Sequence, residues 1–176
     1  MTSVAVLSAV AFVLSFLEFP VPLSPSFARM DLSDFPALIG AFAFGPVAGI
    51  LIELVKNLLG LISSATSGIG ELANFLIGAS FVATAGLIYR HHKTKNTALF
   101  GGIAGSFIMG VVAALANYFI LLPLFEQFMP VDQLIASFGE FIPFIKTKLD
   151  VVLYNAFPFN LQKGFVIKAF PLSVFK

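Results

Sequence analysis

Apolar residues fall in long blocks rather than in alternation: Val4–Phe19, Phe35–Phe44, Val47–Ile62, Leu72–Tyr89, Ala98–Leu122, and a last block from Phe159 to the end of the chain. Uninterrupted blocks of this kind predict helices in lipid, where a crossing of about 30 Å of hydrocarbon needs about 20 residues. Phe35–Phe44 is too short to cross unaided, and the alternative is one helix from Phe35 to Ile62. Gly45-Pro46 in the middle of that stretch removes a backbone donor and favours a break. The pattern therefore predicts an all-α integral membrane protein with six transmembrane helices, residues 1–176 forming a single membrane-embedded domain.

The connections carry their own signals. Phe19-Pro-Val-Pro-Leu-Ser-Pro-Ser-Phe27 runs into Arg29-Met-Asp31-Leu-Ser-Asp34. One reading of this segment is a lid; the other is a rigid connector in which Asp34 caps the helix beginning Phe35-Pro36. Between Val131 and Asp150, Leu134, Ile135, Phe138, Phe141, Ile142 and Ile145 are spaced as in an amphipathic helix lying on a membrane face. Pro158 reads as the first residue of the last helix.

Charge sets the orientation. Arg90-His91-His92-Lys93-Thr94-Lys95 is the dense basic cluster in a short loop, which places that loop in the cytoplasm. Six crossings then put both termini inside and Pro20–Asp34, Ser63–Gly70 and Pro123–Pro158 outside. A single helix from Phe35 to Ile62 would throw the basic loop outside, so the break and the charge rule agree.

Composition narrows the function. The chain is 59% apolar and 11% charged, against about 25% charged in soluble domains, and its mean hydropathy is +0.99. Ten Lys/Arg against nine Asp/Glu form no basic run long enough to follow a phosphate backbone, so no nucleic-acid partner is expected; the partner solvent is membrane lipid. With no Cys, disulfides, iron–sulfur clusters and thiolate chemistry are excluded, and His91-His92 without nearby carboxylates reads as part of a solvated loop, not as a metal site. Apolar blocks recur along the whole length, which argues against a cleaved signal peptide. There is no GxxxxGK(S/T) loop and no Ser/His/Asp set, so the chain is expected to be no enzyme and to take any energy from a partner.

Polar side chains within membrane helices are costly, and each one is a functional hypothesis. They are Glu53, Lys56 and Asn57 on the third block, Glu71 and Asn74 on the fourth, Asn117 and Tyr118 on the fifth, and Asn160, Gln162, Lys163 and Lys168 on the sixth. Asn57, Glu71, Asn74, Asn117, Asn160 and Lys163 all fall toward the outer half, where they can line one cavity. Asn160 and Lys163 share a helix face, and a lysine near a helix N-terminus opposes the macrodipole, so helix stability does not explain it; the alternative is a lysine reaching the headgroups. Asn117 fits a cavity or an interhelical hydrogen bond equally. Glu53 and Lys56, spaced i,i+3, predict an internal ion pair. Ala5 and Ala9 form a small-residue face that lets another helix approach closely, whether within the chain or from a partner.

Phe44-Gly45-Pro46-Val47-Ala48-Gly49 together with Ala5-x-x-x-Ala9 resembles the substrate-binding S components of energy-coupling factor (ECF) vitamin transporters. Met30-Asp31-Leu-Ser-Asp34-Phe-Pro36, Val55-Lys56-Asn57, Ala73-Asn74-Phe75, Asn117-Tyr118-Phe119 and Pro158-Phe159-Asn160-x-x-Lys163-Gly164 resemble the riboflavin-specific branch. The resemblance spans nearly the whole chain. It implies a multi-pass protein of the cell membrane that binds riboflavin as its transported substrate and has no cofactor. The ligand site would comprise Asn117, Asn160, Lys163 and Asn74, with Asp31, Leu32 and Ser33 closing as a lid. It also implies partners, an ECF transmembrane coupling subunit and two ATPase subunits, with Ala5 and Ala9 as the docking face.

Riboflavin is chemically compatible with these residues. Its flat tricycle asks for apolar walls, its uracil-like edge for amides that donate and accept, and its oxygens for a donor. Lys163 is the strong cation near the site, with Arg29 a second on the lid, and no Arg clamp for a phosphorylated flavin is evident. Another vitamin, or a stand-alone secondary carrier with Glu53 as its midplane carboxylate, is the alternative.

Overall fold

The computed structural model describes residues 2–20, 29–64, 68–127, 130–140 and 142–174. Helix α1 (Thr2–Ser15) leads through a short antiparallel ladder, β1 (Phe19–Pro20) against β2 (Arg29–Met30), into α2 (Asp34–Phe44). α3 (Pro46–Gly60), a 3-10 turn (Leu61–Ser63), α4 (Ile69–His91) and α5 (Lys95–Ala116) follow. The chain then forms a π turn (Asn117–Leu121), α6 (Leu122–Phe125), α7 (Val131–Gly139), α8 (Lys148–Val151), a second π turn (Val152–Ala156) and α9 (Phe157–Val174). The architecture is helical apart from the two-residue ladder, and each of the six apolar blocks has its helix. Pro46–Ser63, Ile69–His91 and Lys95–Leu124 are long and apolar enough to cross a membrane, and α1 and α2 are shorter apolar helices.

The predicted break falls at Gly45, whose φ of 100° is open to glycine and costly for other residues. Pro46 starts α3, where its missing N–H has no partner to lose. α1 stops at Ser15, short of the expected Phe19, because the ladder takes up Phe19. The proline-rich stretch 21–28 lies outside the described residues, as does the side chain of Arg29.

α4 packs on α3 and α5, and α9 packs on α5. The tight α4–α5 contact depends on the missing side chains of Gly101 and Gly105, since a Cβ there would lie 2.9 Å from the carbonyls of Ala85 and Phe81. Small residues four apart permit such backbone approach. Leu38, Ile52, Phe81, Val82, Met109 and Ile167 are buried at the centre.

Two sequence expectations fail between Pro123 and Pro158. Val131–Asp150 is not one helix: α7 ends at Gly139, Pro143 lies in the following turn, and Phe138 and Ile145 fold back onto Leu122, Val151 and Val152. The side chains of Leu134 and Phe141 lie outside the described residues. α8 has its own start, a capping box in which Thr147 and Asp150 bond each other's backbone N–H. Asp150 also accepts the N–H of Lys146, which holds its carboxyl below the usual range.

Nor is Pro158 a first helical residue, because the helical path runs continuously into it from α8. Each π turn ends two residues before a proline, Leu121 before Pro123 and Ala156 before Pro158. A proline ring collides with the carbonyl four residues back, and widening the preceding turn relieves that clash without ending the helix.

Candidate functional site

Five ionisable side chains from three helices and the segment before α2 form one alternating chain, buried except at its half-buried end Asp31: Asp31, Lys163, Asp34, Lys56, Glu53. Lys163 Nζ lies 3.4 Å from Asp31 Oδ2 and 3.0 Å from Asp34 Oδ2. Lys56 Nζ lies 2.6 Å from Asp34 Oδ1 and 2.7 Å from Glu53 Oε2. Asp34 and Glu53 are fully buried, and Lys56 and Lys163 nearly so. Burying a charge is costly unless it is paired and hydrogen-bonded, which accounts for the alternation of sign.

Local structure aims these groups. Asp31 Oδ1 accepts the Ser33 N–H at 2.7 Å, a tight turn that brings the chain into α2 with Ser33 and Asp34 facing inward. Ser33 Oγ accepts from Lys56 at 2.9 Å. Asn57 donates to the Glu53 carbonyl one turn back at 2.8 Å and lies 3.4 Å from Glu53 Oε2. Glu53 fits because residue 78 is glycine: a Cβ there would sit 2.6 Å from its Oε2.

The predicted Glu53–Lys56 ion pair is present, and Asn160 and Lys163 do share a buried face of α9. The capping reading of Asp34 is overturned. Ser33 occupies the N-cap position and makes no side-chain cap bond, while Asp34 is the first helical residue. Its carboxylate bridges two buried ammonium groups, Lys56 and Lys163, a charge-assisted contact in an apolar interior that outweighs one helix N–H. The bridging role of Asp34 was missed. Its signal was arithmetic: a buried Lys163 requires a carboxylate, and no carboxylate of its own helix supplies one.

The remaining candidates are less tightly joined. Asn117 and Asn160 each donate to the carbonyl four residues back, Ala113 and Ala156, at 2.8 and 2.9 Å. Asn117 opens the first π turn, and the Asn160 acceptor closes the second. π turns recur at functional positions in helices. Asn155, which sequence reasoning did not select, is buried on the second π turn. Asn74 is half-buried on α4, Leu32 half-buried before α2. Among the described residues no hydrogen bond ties Asn74 or Asn117 directly to Lys163. Glu71, in the first turn of α4, accepts from Ser64 at 2.8 Å. The Lys168 side chain lies outside the described residues.

Ala5 and Ala9 are exposed, and Val6, Val10 and Val13 beside them are exposed as well. Among the described residues nothing covers this side of α1, and the small-residue face takes no part in their packing.

The site thus sits in a helical chain that has, among the described residues, three helices long and apolar enough to cross a membrane. The family model for the ECF transporter, substrate-specific component, matches residues 1–169. A solved structure of the S component of a bacterial ECF transporter superposes with a TM-score of 0.79 at 36% identity, covering 98% of this chain and 90% of that one. The chain belongs to the family of ECF transporter substrate-specific components, multi-pass membrane proteins of transport and not enzymes. It is 39% identical over 166 residues to the riboflavin transporter RibU of Staphylococcus aureus, covering 94% of this chain and 82% of that protein. It is 33% identical over 167 residues to the riboflavin transporter FmnP of Bacillus subtilis, covering 93% and 83%.

Proposed function

We propose that this chain is the riboflavin-specific S component of an ATP-driven ECF importer of the cell membrane. Its six helices cross the bilayer with both termini and the Arg90–Lys95 loop in the cytoplasm, and residues 1–176 make up one substrate-binding domain. Riboflavin is the transported substrate, not a cofactor.

The observation that carries this reading is a difference between two buried lysines. An ammonium has three donors. Those of Lys56 face Ser33, Asp34 and Glu53 and are all engaged. Lys163 faces Asp31 and Asp34, which leaves one donor for a ligand oxygen. Lys56 is thus a structural cation and Lys163 a binding one. Asn160 on the same face and Asn117 at its π turn keep amide groups for the uracil-like edge of the flavin, with Asn74 contributing from α4. Asp31, Leu32 and Ser33 close over the ligand as a lid, latched through Asp31 to Lys163. Because the relatives named as riboflavin transporters match over nearly the whole chain, riboflavin is favoured over other vitamins. A secondary carrier would need Glu53 as a mobile proton site, whereas its Oε2 is held by Lys56.

Energy would come from a transmembrane coupling subunit and two ATPase subunits, docked on the exposed Ala5 and Ala9 face of α1. The test is titration of riboflavin with the purified chain, following quenching of flavin fluorescence. Saturable one-to-one quenching is expected; no quenching by riboflavin, with saturable binding of a different vitamin, would reassign the substrate.

A further inference from the structure

At the other end of α2 from Asp34 and Lys163, the last turn of α2, the Gly45 turn, the start of α3 and the end of α4 line an open hollow of about 290 Å³. Phe42 and Tyr89, whose ring centroids are 4.6 Å apart, stand on its wall, and Arg90 and Lys93 on its rim. Neither cation has a carboxylate partner among the described residues, unlike the two buried lysines. Two unpaired cations over an aromatic-walled hollow make a site for a single phosphate, with the Arg fork suited to two of its oxygens.

What lies beside the hollow identifies the rest of the ligand. Val47 lines it and is 68% exposed, and Leu51, Leu54 and Leu58 continue its exposed stripe along α3 at 39, 36 and 53%. Positions i, i+4, i+7 and i+11 share one helix face. Because Val47 both lines the hollow and begins this lipid-facing stripe, a phosphate seated between the two cations can carry an acyl chain along α3, an attachment that a soluble phosphate lacks. We propose that the cavity seats the headgroup phosphate of an anionic glycerophospholipid, with an acyl chain running along Val47, Leu51, Leu54 and Leu58. The inference rests on the membrane reading above, and the orientation argued there makes the lipid one of the inner leaflet, where basic pockets between helices select anionic headgroups.

The experiment is native mass spectrometry of the chain released from detergent containing equal amounts of phosphatidylglycerol and phosphatidylcholine. The parent should retain one phosphatidylglycerol in preference to phosphatidylcholine by about tenfold or more, since each basic residue near an anionic surface contributes substantially. Arg90→Ala/Lys93→Ala should lose that preference. Lys95→Ala, from the same loop but outside the cavity, should keep it, and added glycerol 3-phosphate should not displace the lipid. Riboflavin quenching should be unchanged in all variants, which certifies the fold and separates a failure here from a failure of the riboflavin reading. Retained preference in Arg90→Ala/Lys93→Ala, no preference in the parent, or displacement by glycerol 3-phosphate would each overturn the proposal. So would loss of assembly with the coupling subunit in lipid-free detergent by the double variant, which would make the cavity a protein seat.

Discussion

Lys163 on α9 lies 3.0 Å from Asp34 at the first position of α2, so the last helix of the chain is pinned to the second by a buried ion pair. The same ammonium reaches Asp31, 132 residues away in sequence, at 3.4 Å. On the proposed reading, ligand capture and closure of the segment before α2 would converge on this one side chain.

Lys163→Ala removes a charge-assisted hydrogen bond, worth on the order of 1.5–3 kcal/mol, and should weaken riboflavin binding about tenfold to hundredfold. Asp31→Ala leaves Lys163 paired with Asp34 and removes the latch, so its loss should appear mainly as faster dissociation. Asn160→Ala should weaken binding without altering the charge chain. Quenching titrations and stopped-flow release measure all three; parent-like affinity in both Lys163→Ala and Asn160→Ala would remove them from the site.

Much of this was legible in the sequence, and the physical reason for each success and failure is local. That each apolar block forms a helix follows from its composition, and the α2–α3 break from Gly45-Pro46, because both are set by neighbouring residues. Glu53–Lys56 and Asn160–Lys163 were readable from helical spacing. Asp34 was not, since an acidic residue before an apolar helix looks the same whether it caps that helix or faces a lysine of another. The π turns were equally hidden: a proline inside an apolar run signals a helix start as well as it signals a widened turn. Gly139 and Pro143 interrupt what apolar spacing alone continued into a single outer helix.

Lys56 should be the stability counterpart of Lys163. Lys56→Met leaves Glu53 without its cation and Asp34 with one of its two, and breaking a buried pair in this way costs about 3–5 kcal/mol. Thermal unfolding in detergent should show a large drop for Lys56→Met, and a smaller one for Glu53→Leu/Lys56→Met, which removes the stranded carboxylate as well. Equal drops would mean that Glu53 is not held by Lys56.

Gly78→Ala places a methyl 2.6 Å from Glu53 Oε2. Overpacking of this kind costs about 1–3 kcal/mol, and residues in contact should not behave additively. In a double-mutant cycle, Gly78→Ala should therefore be nearly harmless in a Glu53→Ala background. Additive losses would show that the glycine serves α4 itself and not the carboxylate.

Orientation can be tested without a background, since the chain has no Cys. A cysteine at position 93 in the basic loop should resist an impermeant thiol reagent in intact cells and react after the membrane is opened. One at position 146, exposed between α7 and α8, should react from outside if the proposed orientation holds. The reverse pattern would invert the whole topology while leaving the helix packing intact.

The final expectation separates binding from transport. Ala5 and Ala9 are exposed on α1 while the charge chain is buried under α2, so a bulky residue on α1 need not disturb the ligand site. Close helix approach depends on small interface residues, and Ala5→Trp or Ala9→Trp should block docking of the coupling subunit. Each variant should still quench riboflavin fluorescence as the parent does, but fail to copurify with the coupling subunit and fail to support ATP-dependent uptake in vesicles. Normal uptake in both would move the docking face away from these alanines, and uptake by this chain alone without ATP would establish the secondary-carrier alternative instead.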